Sequence, residues 1–122
     1  MKILVVDDER DIQTLFEQRF RKEIRDGSVQ FAFAFSGEEA LAYLNGHEAV
    51  LILSDINMPG MTGLELLSHI KHLLLKPPPV VMMITAYGDA ENFHTAKQLG
   101  ADDFLTKPVD FSLLKEKLKQ IH

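Results

Sequence analysis

The chain has 122 residues, 46% of them hydrophobic and 25% charged, enough for one soluble domain with a sizeable core. A formal net charge of −5 argues against binding along a phosphate backbone, and no apolar run reaches the roughly 20 residues of a membrane span. The opening MKILVVDDER turns acidic too early for a secretory signal, and the lack of cysteine removes disulfide and thiolate chemistry, so a cytoplasmic protein is expected.

In chain order, Lys2–Val6 predicts a first strand, followed at once by Asp7-Asp8-Glu9. Ile12, Leu15, Phe16 and Phe20 then recur at helical spacing and give the first helix an apolar stripe. The second strand, Val29–Phe35, sets Phe on one parity and Ala on the other, so one face takes bulky packing and the other admits a helix closely. Ser36-Gly-Glu-Glu39 has the form of a capping box opening the second helix, and Asn45-Gly46 is its expected stop.

Val50–Ser54 reads as a third strand that delivers Asp55 at its tip, before Pro59-Gly60 turns the chain. Thr62-Gly-Leu-Glu65 is a second capping box, and Lys76-Pro-Pro-Pro79 is expected to end the third helix and lead stiffly into the strand Val80–Thr85. A fourth helix stops at Gly100. Asp103–Thr106 is the fifth strand, running into Lys107-Pro108. Asp110 caps a fifth helix with Phe111, Leu114, Leu118 and Ile121 on its apolar side. Asp102 either begins the fifth strand or faces solvent.

Five mostly continuous apolar strands alternating with five helices predict one doubly wound parallel α/β domain over residues 1–122. Ligands in such folds bind beyond the carboxyl ends of the strands. That edge would collect Asp7, Asp8, Asp55, Thr85 and Lys107. Clustered carboxylates repel one another, and one lysine is too little compensation; a divalent ion with a preference for hard oxygen ligands, Mg²⁺, completes the set. Asp55 would then serve as nucleophile, with the metal, Lys107 and Thr85 holding a transferred phosphoryl group. His69 and His72 lie one helical turn apart but lack a third ligand. Met82 and Met83 read as core.

Taken together, Val5-Val6-Asp7-Asp8-Glu9, Asp55-Ile-Asn-Met-Pro-Gly-Met-Thr-Gly63, Ile84-Thr85-Ala86 and Gly100-Ala-Asp-Asp-Phe-Leu-Thr-Lys-Pro108 resemble the receiver domain of two-component response regulators, of the CheY-like superfamily, from end to end. The resemblance implies a three-layer α/β/α flavodoxin-like fold of five parallel strands in order 2-1-3-4-5. It implies that Asp55 takes a phosphoryl group from a histidine kinase or phosphotransfer protein. Asp8 and Asp55 would hold Mg²⁺ (or Mn²⁺ in its place), with Asp7 acting through water and Asn57 through its backbone carbonyl. Thr85 and Lys107 would contact the phosphoryl group, and the Lys107–Pro108 peptide would be cis. Phe104 and Thr85 would form the switch that alters the surface of the fourth helix, fifth strand and fifth helix. Asn57 and Tyr87 would tune the phosphoryl lifetime. The implied partners are the phosphodonor, an output domain or downstream protein, and a second phosphorylated copy, with neither nucleic acid nor membrane contacted directly.

Competing readings are separable. A haloacid-dehalogenase-like phosphohydrolase working through an aspartyl phosphate needs an acid two residues after its nucleophile, where this chain has Asn57. A flavin or nucleotide carrier needs a phosphate-cradling loop after the first strand, where Asp7-Asp8-Glu9 would repel the ligand. The expectation is therefore a signalling domain that does not turn over an external substrate, either free-standing or as the N-terminal receiver of a longer regulator.

Overall fold

The computed structural model describes residues 1–86 and 88–121. Five parallel strands form a single sheet in the order β2-β1-β3-β4-β5. They are β1 (Lys2–Val6), β2 (Gln30–Ala34), β3 (Leu51–Asp55), β4 (Val80–Thr85) and β5 (Asp103–Thr106). Six helices occur among the described residues: α1 (Asp11–Arg19), α2 (Arg21–Asp26), α3 (Gly37–Leu44), α4 (Gly63–His72), α5 (Ala90–Gln98) and α6 (Phe111–Leu118).

Strand alternation sorts the interior into two layers. Leu4, Val6, Ile52 and Met83 face a core closed by Leu66, Leu67 and Ile70 of α4, with Ala40 of α3 and Ala96 of α5. Ile3, Val5, Leu53 and Ile84 face the opposite core, closed by Phe16 of α1 and Leu114 and Leu118 of α6. The parity of β2 divides as expected: Ala34 joins the first core, while Phe31 and Phe33 pack against the second. Burial on both faces is why the strands are continuously apolar.

Where five helices were expected, the first is split at Phe20, whose φ of −109° and ψ of 21° leave the helical basin. Hydrogen bonding nevertheless bridges the break: Phe20 N–H donates to Phe16 O, and Ile24 N–H to Phe20 O, each at 2.9 Å. The Phe20 ring is fully buried, with Phe31 at 5.0 Å and Phe16 and Phe111 at 6.1 Å between centroids. Aromatic packing thus overrides local helical continuity there.

Caps also refine the sequence reading. Thr62 and Glu65 form the complete reciprocal box. At α3, Ser36 accepts from Glu39 N–H, but the Glu39 carboxylate accepts from Phe35 N–H instead of Ser36. The prolines do not end α4: it closes at Leu73, and Leu74 turns the chain with a left-handed φ of 51° before Lys76 is reached. Asp102 is engaged at the start of β5, its Oδ2 accepting Val81 N–H at 2.8 Å.

Candidate functional site

Because the strands are parallel, their carboxyl ends open on one edge. β3 runs one residue beyond Ser54, so Asp55 is its last member, paired in register with Ile84. Asp55 is 2% exposed, while Asp7, just past β1, is 5% exposed and Thr85, closing β4, is 4% exposed. Asp8 lies outward in solvent. Oxygens of Asp7, Asp8 and Asp55 all lie within 4.8 Å of one another.

Lys107 Nζ donates to Asp55 Oδ2 at 2.8 Å, and Lys107 N–H donates to Thr85 O at 2.8 Å. The second bond carries the lysine from the end of β5 across to the end of β4. Asp55 Oδ1 accepts Asn57 N–H at 3.3 Å, and Asp7 Oδ1 accepts Glu9 N–H at 2.9 Å. The Lys107–Pro108 peptide is cis.

Burial raises the pKa of Asp7 above its ordinary value; the Glu9 amide opposes this and the Asp55 charge adds to it. Burial pulls Lys107 downward, yet the hydrogen bond and charge of Asp55, with the charges of Asp7 and Glu9, leave it above the ordinary lysine value. The ammonium therefore stays charged at neutral pH. One cation faces three carboxylates, a donor set of hard oxygens with negative charge in excess, which suits Mg²⁺.

The loops around the edge are held by packing as well as by charge. Arg10 lies over the Phe35 ring at 4.4 Å, tying the β1–α1 turn to the end of β2. Gly63 opens α4 against the tip of β3: its N–H donates to Ile56 O at 2.8 Å, and a Cβ there would stand 2.0 Å from Asp55 O. Met61 covers Gly37 in the same manner, its Sδ 2.6 Å from where a Cβ would be.

The edge thus brings together Asp7, Asp8, Asp55, Thr85 and Lys107, with Asn57 exposed beside them. Phe104 stands apart on β5, half-buried, paired in register with Met83 and 4.3 Å from the Phe93 ring of α5. Tyr87 lies outside the described residues, as does His122. His72 is occupied with Ser68 O at 2.7 Å, and neither it nor His69 belongs to a cluster of three candidate ligands among the described residues. Two roles escaped the sequence reading: Gly63 stood there only after a helix cap and at the end of the receiver-like stretch from Asp55, and Ser54, whose hydroxyl donates to Asp55 O at 3.0 Å, only as the last residue of the third strand.

A family model described as the response regulator receiver domain matches residues 3–119. The chain is 33% identical over 119 residues to sporulation initiation phosphotransferase F of Bacillus subtilis, an alignment covering 98% of this chain and 91% of that protein. It is 38% identical over 118 residues to response regulator protein PilR of Pseudomonas aeruginosa, covering 94% of this chain but 24% of PilR. Among solved structures, chemotaxis protein CheY4 of Vibrio cholerae superposes with a TM-score of 0.85 at 28% identity, covering 99% and 98% of the two chains. The receiver domain of NtrX from Brucella abortus gives 0.81 at 34% identity, covering 98% and 96%.

Proposed function

Since the chain belongs to the receiver domain family of two-component response regulators, we propose that Asp55 is its phosphoacceptor, with Asp7, Asp8 and Lys107 serving that one carboxylate. The observation that carries the assignment is the pairing of a buried strand-tip carboxylate with Lys107 Nζ at 2.8 Å, inside a ring of two further carboxylates. Asp8 and Asp55 would hold Mg²⁺ directly, with Asp7 acting through water and Asn57 through its carbonyl. Bound there, Mg²⁺ (or Mn²⁺) supplies the positive charge that lets two anions, carboxylate and phosphoryl group, meet.

The donor is a phosphohistidine on a histidine kinase or phosphotransfer protein. A lone pair of the Asp55 carboxylate forms the new O–P bond, the P–N bond breaks, and its electrons return to the imidazole, which takes up a proton. Lys107 follows the developing charge onto the phosphoryl oxygens, and the Thr85 hydroxyl donates to one of them. Beside Asp7 and Lys107, a groove of about 710 Å³ runs between α1 and the β5–α6 turn, with Ile12, Leu15, Val109 and Phe111 along it. An apolar helix face bearing the donor histidine would fit that groove.

The product carries up to about two negative charges where Asp55 carried one. Movement of Thr85 and fuller burial of Phe104 would pass this change to the surface of α5, β5 and α6. The Phe104 ring is half-buried and packs 4.3 Å from the exposed Phe93 ring of α5. That surface would meet an output domain, a downstream protein or a second copy in the cytoplasm, with the whole chain acting as one receiver, free-standing or at the N-terminus of a longer regulator. Asn57 and Tyr87 would set the phosphoryl lifetime. With an amide at Asn57, no general acid stands two residues after the nucleophile, so one phosphoryl group per chain is expected rather than turnover of external phosphomonoesters.

Acetyl phosphate or phosphoramidate with Mg²⁺ should produce a base- and hydroxylamine-labile acyl phosphate on Asp55, and Asp55→Asn should remain unmodified. A labile adduct mapping to another residue overturns the assignment.

A further inference from the structure

Ser54 places a hydroxyl on the face of β3 whose neighbours Ile52 and Ile56 enter the apolar core beneath α3 and α4. The residue is 1% exposed, and its Oγ donates to the carbonyl oxygen of Asp55 at 3.0 Å. A buried hydroxyl needs a partner, but a partner deeper in the strand would serve stability equally well. This one binds the peptide that joins Asp55 to Ile56.

That peptide lies beyond the sheet on one side. Pairing between β1 and β3 ends at Val6 with Ser54, so the Asp55 carbonyl is past the last β1 partner. On the other side Ile56 N–H still reaches Ile84 O, at a long 3.3 Å. On the α4 side the Gly63 backbone packs close against the same oxygen, so that an added Cβ would overlap it. The carbonyl is thus bounded by Gly63 and bonded by Ser54, while the carboxylate of the same residue is bonded to Lys107.

Building on the reading of Asp55 as phosphoacceptor, the geometry points to Ser54 as a positioning residue, whose hydroxyl fixes the Asp55–Ile56 peptide and so aims the carboxylate for attack on phosphorus. Ser54 itself is buried and its hydroxyl bonds to the main chain rather than to the Asp55 carboxylate. Its effect passes through the main chain, since rotation of that peptide turns the Asp55 side chain away from Lys107. Small misplacements of a nucleophile are costly in rate because in-line attack tolerates little deviation.

The test compares Ser54→Ala, Ser54→Thr and Ser54→Cys with Ile52→Val, a core change on the same strand face. Phosphorylation by acetyl phosphate at saturating Mg²⁺ is followed by intact mass, and stability by denaturant unfolding. Ser54→Ala should react about three- to tenfold more slowly, the factor for one hydrogen bond that orders a reacting group. Ser54→Thr, which keeps the hydroxyl, should recover most of the rate, and Ser54→Cys should fall between. Ile52→Val should react at the unmodified rate even where its stability loss is comparable.

A Ser54→Ala rate equal to that of the unmodified protein overturns the inference, as does a Thr variant as slow as the Ala variant. Should Ser54→Ala not fold, the Cys and Thr rates decide by the same ordering. Modification that persists in Asp55→Asn would instead remove the phosphoacceptor reading, a separate failure visible in the same experiment.

Discussion

Asp55 Oδ2 has Lys107 Nζ at 2.8 Å, and the burial of the two partners differs: the carboxylate side chain is 3% exposed and the lysine 38%. The anion is therefore the fixed member, and the cation reaches in from a loop that retains access to water. Such an arrangement suits a group that must wait for a third participant, because Lys107 can shift toward new oxygens without uncovering the Asp55 carboxylate. Beside the Ser54 hydrogen bond, main-chain packing holds Asp55, and Gly63 is its tightest point. A Cβ at Gly63 would lie 2.0 Å from Asp55 O and 2.7 Å from Ile56 Cα, both backbone atoms that no rotamer change can clear. Gly63→Ala should therefore cost about 2–3 kcal/mol, the upper range for overpacking a closed site. Urea unfolding measures the loss. Gly60→Ala is a useful contrast, since Gly60 has open space around it but a φ of 74°, so its cost comes from backbone strain alone. A Gly63→Ala protein as stable as the parent would show that α4 can retreat from β3 freely.

At the scale of elements, α1 and α2 are joined to α6 by aromatic rings and by one ion pair. Phe111 meets Phe16 at 5.0 Å in an edge-on contact, and Lys115 Nζ lies 3.1 Å from Glu23 Oε2 while also covering the Phe20 ring at 5.0 Å. Burial works against the charge on Glu23, but hydrogen bonds and the Lys115 ammonium outweigh it, and its pKa is held below the ordinary carboxylate value. A depressed folded-state value means that Glu23 contributes stability above its unfolded pKa and loses it as pH falls through the folded one. Acid titration of stability should accordingly show a component below the ordinary glutamate range that shrinks in Lys115→Met, while the part due to the backbone hydrogen bond remains. If the variant and parent follow parallel stability–pH curves, the pair contributes nothing to linkage. Elements also show where sequence is informative. β1, β4 and β5 are legible to the residue because apolar runs between charged or turn residues have sharp ends. The break at Phe20 was not, since Phe20 fits the helical stripe and only its three aromatic neighbours displace its backbone. The half-formed box at Ser36 has a similar origin, for the motif names donors and acceptors but not which amide the Glu39 carboxylate can reach. Asp7, Asp8, Asp55 and Lys107 were legible as a set because parallel strands must end together; Ser54 and Gly63 were not, because their roles depend on one carbonyl oxygen.

Over the whole molecule, parallel topology turns a dispersed acidic composition into a local one. A net charge of −5 spread over 122 residues is unremarkable, but three carboxylates share one edge with a single paired lysine. No helix among the described residues is long and apolar enough to cross a membrane, and at this edge Asp8 is exposed. Clustered carboxylates repel one another, and neutralising them should stabilise the entire domain because β1, β3 and β4 form the centre of the sheet. Binding to the folded state alone adds RT ln(1 + [L]/Kd), about 1.4 kcal/mol at a ligand concentration ten times Kd. For a domain of this size that corresponds to a rise in Tm of roughly 4–8 °C. With no tryptophan in the chain, calorimetry or circular dichroism is the suitable readout. Mg²⁺ should produce the rise, NaCl at matched ionic strength should not, and, on the proposed assignment, Asp8→Asn should reduce it by removing an outward-facing carboxylate without opening the core. Equal shifts with Mg²⁺ and NaCl would mean that the edge is screened rather than occupied. Retention of the full Mg²⁺ shift in Asp8→Asn would take Asp8 out of the metal site.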